Sequence, residues 1–194
     1  MYTINWKKYG SIREVFIFGY YKDSDKNPIN QSPLIYAIWT PNECYKQSVL
    51  ELNEYIKKLA ETDKNDAEIV RETANYRNIN LKYAPTGKQK KLLYLGITLK
   101  KPKTALDGPL GSRFFDTFHP GSMYSTFFLN IPLKHQNVII GHIIGEKISD
   151  SDYRKVESSL INKYIPILNK TDKKNLKYKD LEIHHNGDHY ELFN

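Results

Sequence analysis

Apolar positions follow two different rhythms along the chain. Leu34 to Trp39 is a short apolar run held between Pro33 and Pro41. Prolines on both sides exclude a long helix, so the run predicts a buried strand. From Asn42 to Ala60 the period changes. Val49, Leu52, Ile56 and Leu59 recur at three- and four-residue steps, which predicts a helix with one apolar face. Asp66 to Tyr76 predicts a second, more polar helix, and Lys88 to Leu99 is again strand-like around Leu92 to Thr98. Val15 to Tyr21 is a further apolar stretch, ahead of a polar loop that ends at Pro33. Leu110, Phe114 and Phe118 are spaced for a short helix stopped by Pro120-Gly121. Phe127 to Ile131 and Asn137 to Ile144 are strand candidates, the second rich in β-branched residues. Ser149 or Ser151 caps a helix running to about Tyr164, just ahead of Pro166. Leu181 to Leu192 carries a β-hairpin signal, because Asn186-Gly187 suits a type I′ turn in which both central residues need positive φ.

Strands and helices mix without a regular βαβ alternation, and there is no internal repeat. The expected class is α+β, in one domain of 194 residues. Hydrophobic residues make up 40% of the chain, enough for a packed core and against global disorder. The one cysteine, Cys44, excludes a disulfide framework and any cysteine-based zinc site. No run approaches the ~18 apolar residues of a membrane span. Met1 to Lys8 lacks the apolar stretch of a signal peptide. The expectation is a cytoplasmic protein with no membrane partner, and the high Lys, Asn and Ile content suggests a bacterial or phage source.

The formal net charge of +7 points toward a polyanion. The surplus is clustered. Lys88, Lys90 and Lys91 precede the Leu92 run, Lys100, Lys101 and Lys103 follow it, and Lys173 and Lys174 lie in a third group near the C-terminus. Such lysines are either solvated surface or phosphate contacts, which release counterions and add affinity without sequence specificity.

Glu157 is the residue most at odds with its surroundings. On the predicted helix its neighbours are Tyr153, Leu160, Ile161 and Tyr164, all apolar or aromatic. A carboxylate on that face turns toward the core, which is costly unless it is paired or binds a metal. Two readings stay open: an ion pair with one of Arg13, Arg71, Arg77, Arg113 or Arg154, or a metal-ligating carboxylate at the floor of a cleft.

Taken in order, Leu34-Ile35-Tyr36, Tyr94-Leu95-Gly96, Arg113 on a short helix, Glu157 on a later helix, then Pro166 and Asn169 resemble the GIY-YIG nuclease superfamily. The segment Val156 to Asn169 is the most specific part, a helix-borne glutamate followed by a proline and an asparagine. There are departures. Leu34 stands where the family often has glycine, Leu95 replaces an isoleucine, Tyr36 and Tyr94 lie far apart, and Arg113 comes late. Insertions of this kind are similar to the restriction-endonuclease-like branch. The resemblance implies a small, mainly three-stranded antiparallel sheet flanked by helices. Its core would be about residues 34–40 and 92–169, with an N-terminal extension 1–33, a helical insertion 41–91, and a C-terminal basic segment and hairpin 170–194.

The resemblance implies Mg²⁺-dependent hydrolysis of double-stranded DNA by a sequence-specific homodimer, with Mn²⁺ as a substitute cation. A hard cation held by one carboxylate, water and phosphate suits Glu157. Arg113 would fork onto the scissile phosphate. Tyr36 would act on the nucleophilic water as base or positioner, and Tyr94 would hydrogen-bond the phosphate or the water. Asn169 would hold the glutamate helix. His119 is either a helper of the tyrosine or a loop histidine beside Pro120-Gly121, and Lys100 or Lys101 is a further candidate helper. The alternatives are a repair, mobility or phage DNA-processing nuclease of the same fold, and a non-catalytic nucleic-acid-binding module. The His184, His185, Asp188, His189 run looks metal-like but reads better as a polar, exposed hairpin.

Overall fold

The computed structural model describes residues 1–11, 33–76, 90–99, 135–166, 169, 178, 180–188 and 190–193. Five strands and three α-helices follow one another there: β1 (Tyr2–Ser11), β2 (Leu34–Pro41), α1 (Asn42–Thr62), α2 (Lys64–Tyr76), β3 (Lys90–Thr98), β4 (Asn137–Ile144), α3 (Asp150–Tyr164) and β5 (Ile183–Gly187). A 3₁₀ turn, Tyr190–Phe193, follows β5. The architecture is α+β around one mixed sheet of order β3-β2-β4-β1-β5. β2 pairs antiparallel with both β3 and β4, β4 pairs antiparallel with β1, and β5 runs parallel to β1. Among the described residues no helix is long and apolar enough to cross a membrane.

Two sequence expectations are corrected. The N-terminal segment is not an appendage: Tyr2–Ser11 forms an interior strand, so among the described residues the sheet has five strands where a mainly three-stranded one was expected. Its cause is a period of two, with Ile4 and Trp6 fully buried between the less buried Thr3 and Asn5 and the exposed Lys7. The C-terminal hairpin does not form either. Gly187 takes positive φ (89°), as a turn glycine does, but Asn186 does not, so the type I′ geometry is missing. β5 pairs with β1 instead, and the chain then coils so that the Phe193 ring stacks on Trp6 at 4.7 Å. The expected strand at 15–21, helix at 110–118 and strand at 127–131 lie outside the described residues.

Strand alternation sorts the core into two faces. Ile4, Trp6, Ile35, Ala37, Trp39, Leu95, Ile97, Ile139 and Ile143 form one buried cluster with Tyr153, Val156, Leu160 and Ile161 of α3. Leu34, Tyr36, Ile38, Val138 and Ile140 alternate with them and are buried on the other face. α1 buries Tyr45, Val49, Leu52 and Ile56, a stripe separate from that cluster, and leans on α2, β2 and β3. Burial pushes the Tyr45 hydroxyl up to about 12, so it stays protonated.

α3 starts with a capping box. Ser149 accepts from the Asp152 backbone, and the Asp152 carboxylate accepts from the Ser149 backbone at 3.0 Å. Tyr2 donates to the same carboxylate at 2.8 Å, which joins β1 to the start of α3. The Ser149, Tyr2 and Lys155 donors hold the Asp152 carboxyl well below the usual range. At the other end Ile165 takes a left-handed φ of 46° and stops the helix one residue before Pro166.

Candidate functional site

Tyr36 and Gly96 are direct cross-strand partners of β2 and β3, on the sheet face opposite α3. The hydroxyl end of the Tyr36 ring lies against Gly96. A Cβ added at Gly96 would sit 2.5 Å from Cζ and 2.5 Å from the hydroxyl of Tyr36. The glycine of Tyr94-Leu95-Gly96 is therefore there to make room for the first tyrosine. Tyr94, opposite Ile38 and two residues before Gly96 along β3, shares the face, and its ring centroid lies 6.0 Å from that of Tyr36. Tyr36 is 2% exposed, while Tyr94 is half-buried.

Gly96→Ala is expected to push the Tyr36 ring off its seat. Tyr36 is closely packed, so overpacking should cost about 1–3 kcal/mol. A lowered denaturant midpoint, measured against wild type, checks this; an unchanged midpoint would mean the ring moves aside freely.

Asn169 joins the same strand at Leu95. Among the described residues β3 is the outermost strand and pairs only with β2. The Asn169 side chain accepts from the Leu95 backbone N–H at 2.8 Å and donates to the Leu95 carbonyl at 2.8 Å. One amide thus satisfies both polar groups of the central motif residue, as another strand would. The turn that presents it is short: the Asn169 backbone N–H donates to the Pro166 carbonyl at 3.1 Å. The left-handed Ile165 and Pro166 redirect the chain from α3 to this strand.

Glu157 stands differently. It is half-buried, and the most buried line of α3 passes through Tyr153, Val156 and Leu160, one step to its side. The sequence reading of a core-facing carboxylate holds in part: Tyr153, Leu160 and Ile161 flank it and are buried, but Glu157 is not. Its helix packs on the sheet face opposite the two tyrosines. Among the described residues no group of three or more His, Cys, Asp or Glu gathers as a metal site. A cation held by one carboxylate, with water and phosphate completing its shell, is acceptable to Mg²⁺.

Lys90 and Lys91 open β3, and both ammonium groups lie over aromatic rings. Lys90 is 4.9 Å from the Trp39 ring centroid and Lys91 is 5.6 Å from that of Tyr45. These cation–π contacts give the two lysines a structural use beside any phosphate contact. Arg113, His119, Lys88, Lys100, Lys101, Lys103, Lys173 and Lys174 lie outside the described residues.

Of the metal-like run, His189 lies outside the described residues, and the other three members are dispersed. His184 is exposed and lies 3.4 Å from Glu182, Asp188 accepts from the Lys8 backbone N–H at 2.8 Å, and His185 turns inward among rings. The sequence reading gave Gly96 no role of its own and placed His185 in an exposed hairpin. The glycine's signal was its place two residues after Tyr94. For His185 the signal was its parity with Ile183 in a strand.

Compared with protein-family models, curated proteins and solved structures, the chain matches none.

Proposed function

We propose that the chain is a Mg²⁺-dependent endonuclease that hydrolyses phosphodiester bonds in double-stranded DNA, of restriction type and acting as a homodimer. The observation that carries this reading is the convergence of Tyr36, Tyr94-Leu95-Gly96 and Asn169. Three separate segments supply them, each at a position the nuclease resemblance assigns a role. Two features of the contact are hard to obtain by chance: a glycine under the first tyrosine and an asparagine clamped to the residue between the second tyrosine and that glycine. The antiparallel trio β3-β2-β4 also agrees with a GIY-YIG-like core, to which β1 and β5 would be additions.

In this reading Tyr36 and Tyr94 orient the attacking water and the phosphate. Arg113 neutralises charge on the phosphate oxygens by a forked contact. Glu157 is the cation's protein ligand by its order in the sequence alone; its helix packs on the sheet face opposite the two tyrosines, which weighs against a single centre. When bound, Mg²⁺ would stabilise negative charge on the phosphate and the leaving oxygen. Two copies related by a two-fold axis would cut both strands of a palindrome. The lysines of 88–103 and of 173–174 would hold the DNA backbone.

The 2% exposure of Tyr36 favours a second reading, a DNA-binding module in which that ring is structural. One experiment separates the two. Plasmid DNA is incubated with wild type, Glu157→Ala and Arg113→Ala, with Mg²⁺ and with chelator. Defined fragments from wild type with Mg²⁺, and at least a hundredfold slower cutting by both variants, are expected. Equal cutting by all three proteins would remove the site assignment. Binding without any cutting, indifferent to Mg²⁺, would favour the module.

A further inference from the structure

We propose that His185 is a proton-operated latch: its neutral ring holds the C-terminal turn and the end of α3 against β1, and a proton on the ring releases them. The hydrogen bonds fix the ring's state. Trp6 Nε1 donates to His185 Nδ1 at 3.1 Å, and an indole nitrogen can only donate. Nδ1 must therefore be bare, so the ring proton sits on Nε2. That nitrogen lies 3.3 Å from the Tyr164 hydroxyl and donates to it. Both nitrogens of the neutral ring are thus in use, and a second proton has no place that leaves the Trp6 bond intact.

Packing makes the ring central. His185 stacks on Phe193 at 4.6 Å with 9° between planes, and Phe193 stacks in turn on Trp6. Tyr164 meets both His185 and Phe193 edge-on, at 5.9 and 5.3 Å. Three elements, β1, the end of α3 and the turn after β5, therefore meet at one imidazole. The turn is seated close by backbone contacts as well: the Asp188 N–H donates to the Trp6 carbonyl at 2.9 Å, and a Cβ at Gly187 would collide with that carbonyl oxygen.

The Lys163 ammonium, and His184 when protonated, oppose a positive charge on the ring. Lys163 comes from α3, its ammonium over the Tyr164 ring, and His184 comes from β5. Burial first, then Lys163 and His184, push the ring down from 6.5 to about 4. A released ring regains its ordinary affinity for protons. Release is therefore suppressed above pH 6.5 and grows as pH falls toward 4, where the effect saturates. Between pH 7.5 and 5 the released population should rise about 30-fold.

The test follows the Trp6 indole N–H signal by ¹⁵N–¹H spectroscopy from pH 7.5 to 4.5, with the Trp39 indole as an internal reference. The Trp6 signal is expected to move toward that of a free indole below pH 6.5 while Trp39 stays. His185→Gln can accept and donate as the ring does but takes no proton, and its Trp6 signal is expected to stay fixed. A Trp6 signal unchanged to pH 4.5, or the same titration in His185→Gln, overturns the latch. Should that variant fail to fold, the imidazole ¹⁵N signals of wild type decide at pH 7.5: a bare Nδ1 supports the latch, and a protonated Nδ1 overturns it.

Discussion

Asn169→Ala is expected to lower stability by about 2–4 kcal/mol, far more than a surface asparagine would. Two hydrogen bonds of 2.8 Å vanish at once, and they leave a buried N–H and a buried carbonyl of Leu95 without their partner. Each unsatisfied backbone group costs about 1–3 kcal/mol. Alanine is too short to replace either bond. Urea unfolding followed by circular dichroism measures the loss. A fall below about 0.5 kcal/mol would mean that water takes over at Leu95. Asn169→Asp is expected to lose at least as much at neutral pH, because its buried carboxylate accepts from the Leu95 N–H but sets a negative charge against the Leu95 carbonyl oxygen. If the nuclease reading is right, Asn169→Ala also slows cutting, because Leu95 lies between Tyr94 and Gly96.

Trp6→Ala carries the larger penalty, about 3–5 kcal/mol, the usual range for emptying a fully buried aromatic site. Trp6 is 1% exposed, stacks on Phe193 and supplies the donor to His185. A domain of this kind has about 5–15 kcal/mol in total, so the variant sits at the edge of folding. Trp6→Phe keeps a stacked ring and loses only the N–H, so a loss nearer 1–2 kcal/mol is expected, from the missing bond and the reduced volume. Denaturant midpoints of the two variants, compared with wild type, check this. Equal losses would mean that the hydrogen bond and not the stack holds the turn.

How much of this was legible in the sequence depends on how local each cause is. The proline brackets at Pro33 and Pro41 marked β2, the stripe Val49, Leu52 and Ile56 marked α1, and the serine cap marked the start of α3 at Ser149. These signals lie within a few residues of the element they set. β1 was missed because its partner β4 is over a hundred residues away, and two lysines diluted the alternation. The hairpin was read from a sound local cue, the glycine turn at Gly187, but Trp6 offered the tail a ring to stack on and a strand to pair with. The candidate site divides along the same line. The order of Tyr36, Tyr94 and Asn169 was visible, but not the reason for the glycine, because Tyr36 and Gly96 come together only through sheet register. The half-buried standing of Glu157 was blurred because helical spacing names a face, and the deepest line of that face runs beside it.

The placement of β1 has a consequence for the order in which the protein can be made. Its antiparallel partner is Asn137–Ile144 and its parallel one is Ile183–Gly187, so both of its edges stay unpaired while the ribosome adds everything between. At about 5–20 residues per second, the first pairing waits on the order of ten to thirty seconds of synthesis. During that wait Ile4 and Trp6 travel on an open edge, available to any other nascent strand. Lys7 and Lys8, which keep one end of that strand charged, are placed where they discourage such pairing.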